Sequence, residues 1–174
     1  MRSLLVTVGS TRFDDLISAL SADLERFKEI ISLFEVERVT IQFGKCDESV
    51  LRPFRSLQCV RLVEYLPPAE MTLLLATATV VIAHGGAGTA FELLRSNKRI
   101  ERFVMVENAR LMDSHQAELI DALIEMGCPV IRGSVEDIYE SVADKVPVKR
   151  FNLPASNSQV LVNILDQVFF TENK

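Results

Sequence analysis

The chain has no excess of positive charge. It carries 19 Lys and Arg against 24 Asp and Glu, a net charge of −5. A nucleic-acid binder carries a basic face and an anionic membrane attracts basic segments, so neither is expected as a direct partner. There is no long hydrophobic run. The longest, Met71 to Ala83, is too short to span a bilayer and holds three threonines. Met1-Arg2-Ser3-Leu4 leads straight into a strand, without a secretory apolar region or cleavage site. Cys46, Cys59 and Cys128 are odd in number and lack metal-ligand spacing, which reads as free thiols in a reducing cytosol. No pair of carboxylates is spaced for a metal, and none is expected. G-x-x-x-x-G-K-[ST] is missing, which excludes P-loop chemistry. Internal repeats and low-complexity segments are missing too.

What is there is ordinary for a globular protein: 48% apolar and 25% charged residues. The 174 residues suffice for one domain with a real core. Apolar runs at Leu4–Val8, Val39–Phe43, Val60–Val63, Val80–Ala83, Phe103–Val106 and Val130–Ile131 read as strands. Between them, helical spacing predicts a helix from Asp14 through Ile31, then helices over Ala69–Thr77, from Thr89 to about Asn97, from Asp113 to Gly127, and over Val135–Val142. Residues 45–57 read as an irregular loop. Strands alternate with helices, so the expected fold is α/β with a mostly parallel sheet, a single Rossmann-like domain over residues 1–150. Residues 151–174 then complete a linker and carry a C-terminal amphipathic helix, with Val160, Leu161, Ile164, Leu165 and Val168 on one face.

The chain is organised around Val80-Val81-Ile82-Ala83-His84-Gly85-Gly86-Ala87-Gly88-Thr89-Ala90-Phe91-Glu92. A buried strand, a glycine turn and a helix start make an anion site, because glycine admits a ligand to the backbone and first-turn N–H groups point at it. Thr89 is the expected N-cap. Parallel sheets bind ligands at the carboxyl ends of their strands, which puts the Gly9 loop, the His84–Gly88 turn and the loop before Asp113 on one rim. A dinucleotide fingerprint would follow the first strand, where only Gly9 stands, so NAD is disfavoured. Each residue also has a plainer reading. Thr89-x-x-Glu92 and Asp113-x-x-Gln116 are both capping-box patterns, and His84 alone could be a satisfied rim histidine. Their joint order on one rim favours the ligand site.

His84-x-Gly86-x-x-Thr89-x-x-Glu92 resembles the donor signature of nucleotide-sugar transferases built from two Rossmann domains. Thr7-Val8-Gly9-Ser10-Thr11-Arg12-Phe13-Asp14-Asp15-Leu16-Ile17 and Leu111-Met112-Asp113-Ser114-His115-Gln116 narrow the resemblance. They resemble the cytosolic donor-binding subunit of the two-component GlcNAc transferase of asparagine-linked glycosylation. That family is similar to the C-terminal domain of family 28 glycosyltransferases, including the C-terminal half of the bacterial peptidoglycan GlcNAc transferase. The resemblance covers roughly Met1 to Ile131. Here Lys98-Arg99-Ile100-Glu101-Arg102 replaces a shorter connection, and His115 stands where plant-type sugar transferases have an acid.

The resemblance implies transfer of GlcNAc from UDP-GlcNAc to GlcNAc-diphospho-dolichol, inverting and β1,4, on the cytosolic face of the endoplasmic reticulum. It places Gly9, Ser10 and Thr11 near the diphosphate and acceptor. His84, Gly85, Gly86, Gly88 and Thr89 would hold the diphosphate, Glu92 the ribose, and His115 and Gln116 the GlcNAc hydroxyls. Asp14 and Asp15 would start a helix or orient the Gly9 loop. No catalytic base is visible, so the base and the acceptor site are expected on a membrane-anchored partner, docked through the last helix. A non-catalytic nucleotide-sugar-binding module and a transferase acting on another acceptor stay open as alternatives.

Overall fold

Six apolar runs become six parallel strands of one sheet. The computed structural model describes residues 1–97, 99–110 and 115–144. Among these, β1 (Ser3–Thr7), β2 (Arg38–Gln42), β3 (Val60–Val63), β4 (Val80–His84), β5 (Arg102–Val106) and β6 (Ile131–Gly133) lie in the order β3-β2-β1-β4-β5-β6. This is the doubly wound order whose direction reverses beside the first strand. Leu4, Val6 and Val8 face one core with Leu16, Ile17, Phe27 and Phe54, while Leu5 faces the other with Val81, Phe103, Leu93 and Ile120. A sheet covered on both faces explains why its strands read as continuous apolar runs rather than alternating ones.

α1 (Asp14–Ala22), α2 (Leu24–Leu33), a 3-10 helix (Glu48–Ser56) and α6 (Ile138–Ala143) cover the first face. α3 (Pro68–Thr77), α4 (Ala87–Ser96) and α5 (His115–Glu125) cover the second. The run expected as one helix from Asp14 through Ile31 breaks at Asp23, whose backbone is non-helical and whose carboxylate caps α2 by accepting from the Arg26 N–H at 3.0 Å. Buried Tyr139 locks the break, its one hydroxyl proton shared between the Leu20 and Asp23 carbonyls, each 2.8 Å from the oxygen. Burial pushes that phenol up to about 12. Residues expected as loop form the 3-10 helix, capped by Asp47, with Leu51 and Phe54 buried and Phe54 edge-on to Phe27 at 5.1 Å. β6 starts at Ile131, and α6 starts three residues later than Val135, after Ser134 accepts from the Asp137 N–H.

Gly127, at φ 75°, ends α5 as expected. Asp113 and its capping pattern lie outside the described residues, as do the stretch from residue 145 and the last helix. Cys46, Cys59 and Cys128 are free, and burial pushes the Cys46 and Cys128 thiols up to about 11. No described helix is long and apolar enough to cross a membrane.

Candidate functional site

β1 and β4 are neighbours in register, with Thr7 opposite Ala83. The chain leaves β1 toward α1 on one face and leaves β4 toward α4 on the other. The two exits open a crevice at the carboxyl ends of the strands, where doubly wound folds bind ligands. Gly9 and the His84–Gly88 turn form its walls, so the structure brings together two segments that lie far apart in the sequence.

The His84 ring sits between Gly9 and Gly86. A Cβ on Gly9 would lie 2.7 Å from His84 Cε1, and one on Gly86 would lie 2.5 Å from Nε2. Both glycines are therefore required by the ring, Gly9 doubly so because its φ is 64°. Gly85 is required by another neighbour, since its Cβ would lie 2.8 Å from Cβ of Gln116. Gly88 differs. A Cβ there meets nothing within 4 Å, and its backbone is helical. Nothing among the described residues asks for glycine at this position, although glycine inside a helix costs about 1 kcal/mol relative to alanine.

Burial holds the His84 imidazole below its ordinary pKa, with the Thr7 backbone carbonyl opposing the shift. The ring is thus neutral at neutral pH. Its Nδ1 is buried, with no hydrogen-bond partner of good geometry among the described residues.

The helix start corrects one expectation. The N-cap of α4 is Gly86, not Thr89, and no side chain caps it. Thr89 is the third helical residue, and Glu92 stands three residues further along the same helix. The capping-box reading of Thr89-x-x-Glu92 therefore fails. Glu92 instead pairs with the exposed Arg95 at 2.6 Å, a surface ion pair of small energy. Among the described helices with a first turn, α4 alone has no acid there. Its open N–H groups and uncompensated dipole suit an anion.

The other expected residues lie around the same crevice to differing degrees. Thr11 turns its hydroxyl back to the Val8 carbonyl at 2.8 Å, holding its own loop, and Ser10 is exposed beside it. Gln116 packs against Gly85 and accepts from the Asn108 N–H at 3.0 Å. His115, the first residue of α5, has Nδ1 3.5 Å from a Glu118 carboxylate oxygen. Asp14 begins α1 and accepts from the Asp47 N–H at 2.7 Å. Burial raises its carboxyl, but that N–H and Arg12 outweigh burial and hold it below the ordinary value. Asp15 pairs with Arg110 at 2.7 Å.

Two residues of this rim escaped the sequence reading. Asn108 is buried and donates to the Arg12 carbonyl at 2.9 Å, tying the loop after β5 to the loop after β1. Gln42, at the end of β2, grips Gly9. The available signal was a polar residue closing each apolar strand run, but nothing local says what it reaches. A separate groove of about 840 Å³ lies between α1 and the β6–α6 turn, lined by Phe13, Asp15, Glu107, Arg132 and Val135 among others. None of the expected donor residues lines it.

A doubly wound parallel domain with a glycine-walled histidine and an uncapped helix at its switch point is a Rossmann-type domain. The chain belongs to the glycosyltransferase family 28 C-terminal domain family, whose model matches residues 3–166. It is 36% identical over 127 residues to the human UDP-N-acetylglucosamine transferase subunit ALG13, covering 73% of this chain and 11% of that protein. It is 27% identical to the subunit of the same name from Cryptococcus neoformans, covering 95% of this chain and 96% of the relative. A solution structure of ALG13 superposes with a TM-score of 0.65 at 20% identity, covering 94% of each chain, which shows a shared fold.

Proposed function

We propose that this chain binds UDP-GlcNAc at the β1–β4 crevice and is the donor-binding subunit of a transferase. The observation that carries the reading is the seat of His84 between Gly9 and Gly86, beside the uncapped start of α4 and open Gly88. A diphosphate there would meet first-turn N–H groups and a neutral imidazole, which can donate one hydrogen bond without the cost of a buried charge. Negative charge growing on the departing UDP would be stabilised by the same preorganised donors. Glu92 would accept from both ribose hydroxyls, and Gln116, with His115, would hold GlcNAc.

The reaction would be the inverting, β1,4 addition of the second GlcNAc to GlcNAc-diphospho-dolichol at the cytosolic face of the endoplasmic reticulum. The relatives, named as UDP-N-acetylglucosamine transferase subunits, support donor and class. The acceptor site, the base for the acceptor hydroxyl and the membrane anchor would come from a partner, docked through the last helix. No metal is assigned a role.

A calorimetric and thermal-shift screen of UDP, UDP-GlcNAc, UDP-Glc, NAD and ATP tests the donor. UDP and UDP-GlcNAc are expected to bind and raise the melting temperature, with NAD and ATP inert. Absence of uridine nucleotide binding would overturn the proposal.

A further inference from the structure

Gln42 is 1% exposed, at the end of a strand that is buried from Val39 onward. Its neighbours explain why an amide stands there. In the sheet, β2 lies between β1 and β3, with Gln42 opposite Thr7 on one side and Val63 on the other. The side chain reaches past the ends of both neighbours. Its Oε1 accepts from the Thr7 hydroxyl at 2.6 Å and from the Gly9 N–H at 3.0 Å. Its Nε2 donates to the Gly9 carbonyl at 2.7 Å and to the Glu64 carbonyl at 2.8 Å.

Every hydrogen-bonding position of a carboxamide is thereby used: two donors and two acceptor lone pairs. The two carbonyl partners also fix which end of the amide is nitrogen. No other side chain of this size offers that set. A glutamate has no donor when ionised, and a methionine has neither donor nor useful acceptor. A burial this complete is tolerated only when the polar group is fully satisfied.

The grip has a direction. Gln42 holds both the N–H and the C=O of Gly9, the residue with the left-handed backbone, and so fixes the peptide planes on each side of its Cα. That Cα faces the His84 ring, where even a methyl group would come within 2.7 Å of Cε1. Close packing of this kind passes a displacement on rather than absorbing it.

We infer that Gln42 is a positioning residue: its amide sets the Gly9 turn and, through Gly9, the seat of the His84 ring at the ligand crevice. Its consequence for UDP rests on the function proposed above, whereas its effect on Gly9 and His84 does not.

The test compares the full chain with Gln42→Met, which removes all four bonds, and Gln42→Glu, which keeps the shape and loses the donors. Nuclear magnetic resonance of the ligand-free proteins reads the Gly9 amide and the His84 ring. Gln42→Met, which removes the acceptor of the Gly9 N–H, is expected to move the Gly9 amide upfield and speed its exchange with solvent. Gln42→Glu keeps an acceptor for that N–H but sets a carboxylate oxygen against the Gly9 carbonyl, and is expected to shift the Gly9 amide without exposing it. Both should shift the His84 Hε1 resonance. The Phe103 and Leu123 signals, in the opposite core, should stay in place. UDP should bind at least tenfold more weakly. In the unaltered protein, the Gln42 side-chain amide protons should exchange slowly and shift on adding UDP, a readout that holds even if a variant fails to fold. Unmoved Gly9 and His84 signals in a folded variant, unchanged UDP affinity, or a Gln42 amide insensitive to bound UDP would overturn the inference. If the unaltered protein does not bind UDP while Gly9 and His84 still move in the variants, the nucleotide reading falls and the positioning stands.

Discussion

Gly88 and Glu92 separate ligand binding from folding at the scale of single residues. Gly88→Ala meets no atom of the described residues and improves helix propensity, so the free protein should gain up to about 1 kcal/mol. If a diphosphate approaches that backbone, the same methyl group should weaken UDP binding. Chemical unfolding and calorimetry on one sample check both, and a variant that binds UDP as before would move the diphosphate elsewhere. Glu92→Ala removes no cap, only a surface pair with Arg95. Its stability cost should be at most about 1 kcal/mol. Loss of a ribose contact should weaken UDP by about 1.5–3 kcal/mol, the scale of a hydrogen bond to a charged group.

His84 supplies a pH signature. Its folded pKa lies below the ordinary 6.5, so the unfolded state takes up the proton first. Stability is complete above about pH 6.5 and falls as pH drops below it. The carboxyls held low, Asp14, Asp47 and Glu140, act the same way, but only below their own ordinary values near 4. Melting curves from pH 7.5 to 5.5 should therefore show a decline that His84→Gln reduces.

The junction of α1, α2 and α6 is decided at the scale of elements. Tyr139 on α6 bonds the two carbonyls where α1 ends, and Arg26 of α2 lies over its ring at 4.6 Å. Tyr139→Phe keeps the ring and removes the hydroxyl from both carbonyls, of which Asp23 keeps the Phe27 N–H at 3.1 Å. It should cost about 1–3 kcal/mol of stability while leaving UDP affinity unchanged, since the junction is away from the crevice. Equilibrium denaturation measures the first part and calorimetry the second. The 3-10 helix plays a similar part with fewer polar contacts, closing the same core with Phe54 against Phe27.

At the scale of the whole molecule, the doubly wound sheet has its switch point between β1 and β4, and the expected donor residues lie on the segments that leave it. An acceptor needs a second surface, and the proposed acceptor is a lipid. Purified chain given UDP-GlcNAc and a short GlcNAc-diphospho-lipid should show no transfer. Activity should appear when membranes carrying the partner are added. Full turnover by the chain alone would refute the division of labour.

The amino-acid sequence alone determined the alternation of strands and helices, because strands buried on both faces are unbroken apolar runs and glycine ends them visibly. It also determined the strand–glycine–helix segment from Val80 to Glu92, since that pattern is contiguous. Capping rules misplaced the start of α4 at Thr89 because they assume a helix satisfies its own first turn. This one leaves its first turn open at Gly86. The break at Asp23 was hidden because apolar spacing continues across it, and Tyr139, which holds it, lies on a distant helix. Only the tertiary structure decided what each glycine is for, and that Gln42 belongs to the site. Periodicity and propensity act over one or two turns of chain. The partners of Gln42 and Gly9 are chosen by the order of strands in the sheet, which lays β1 between β2 and β4.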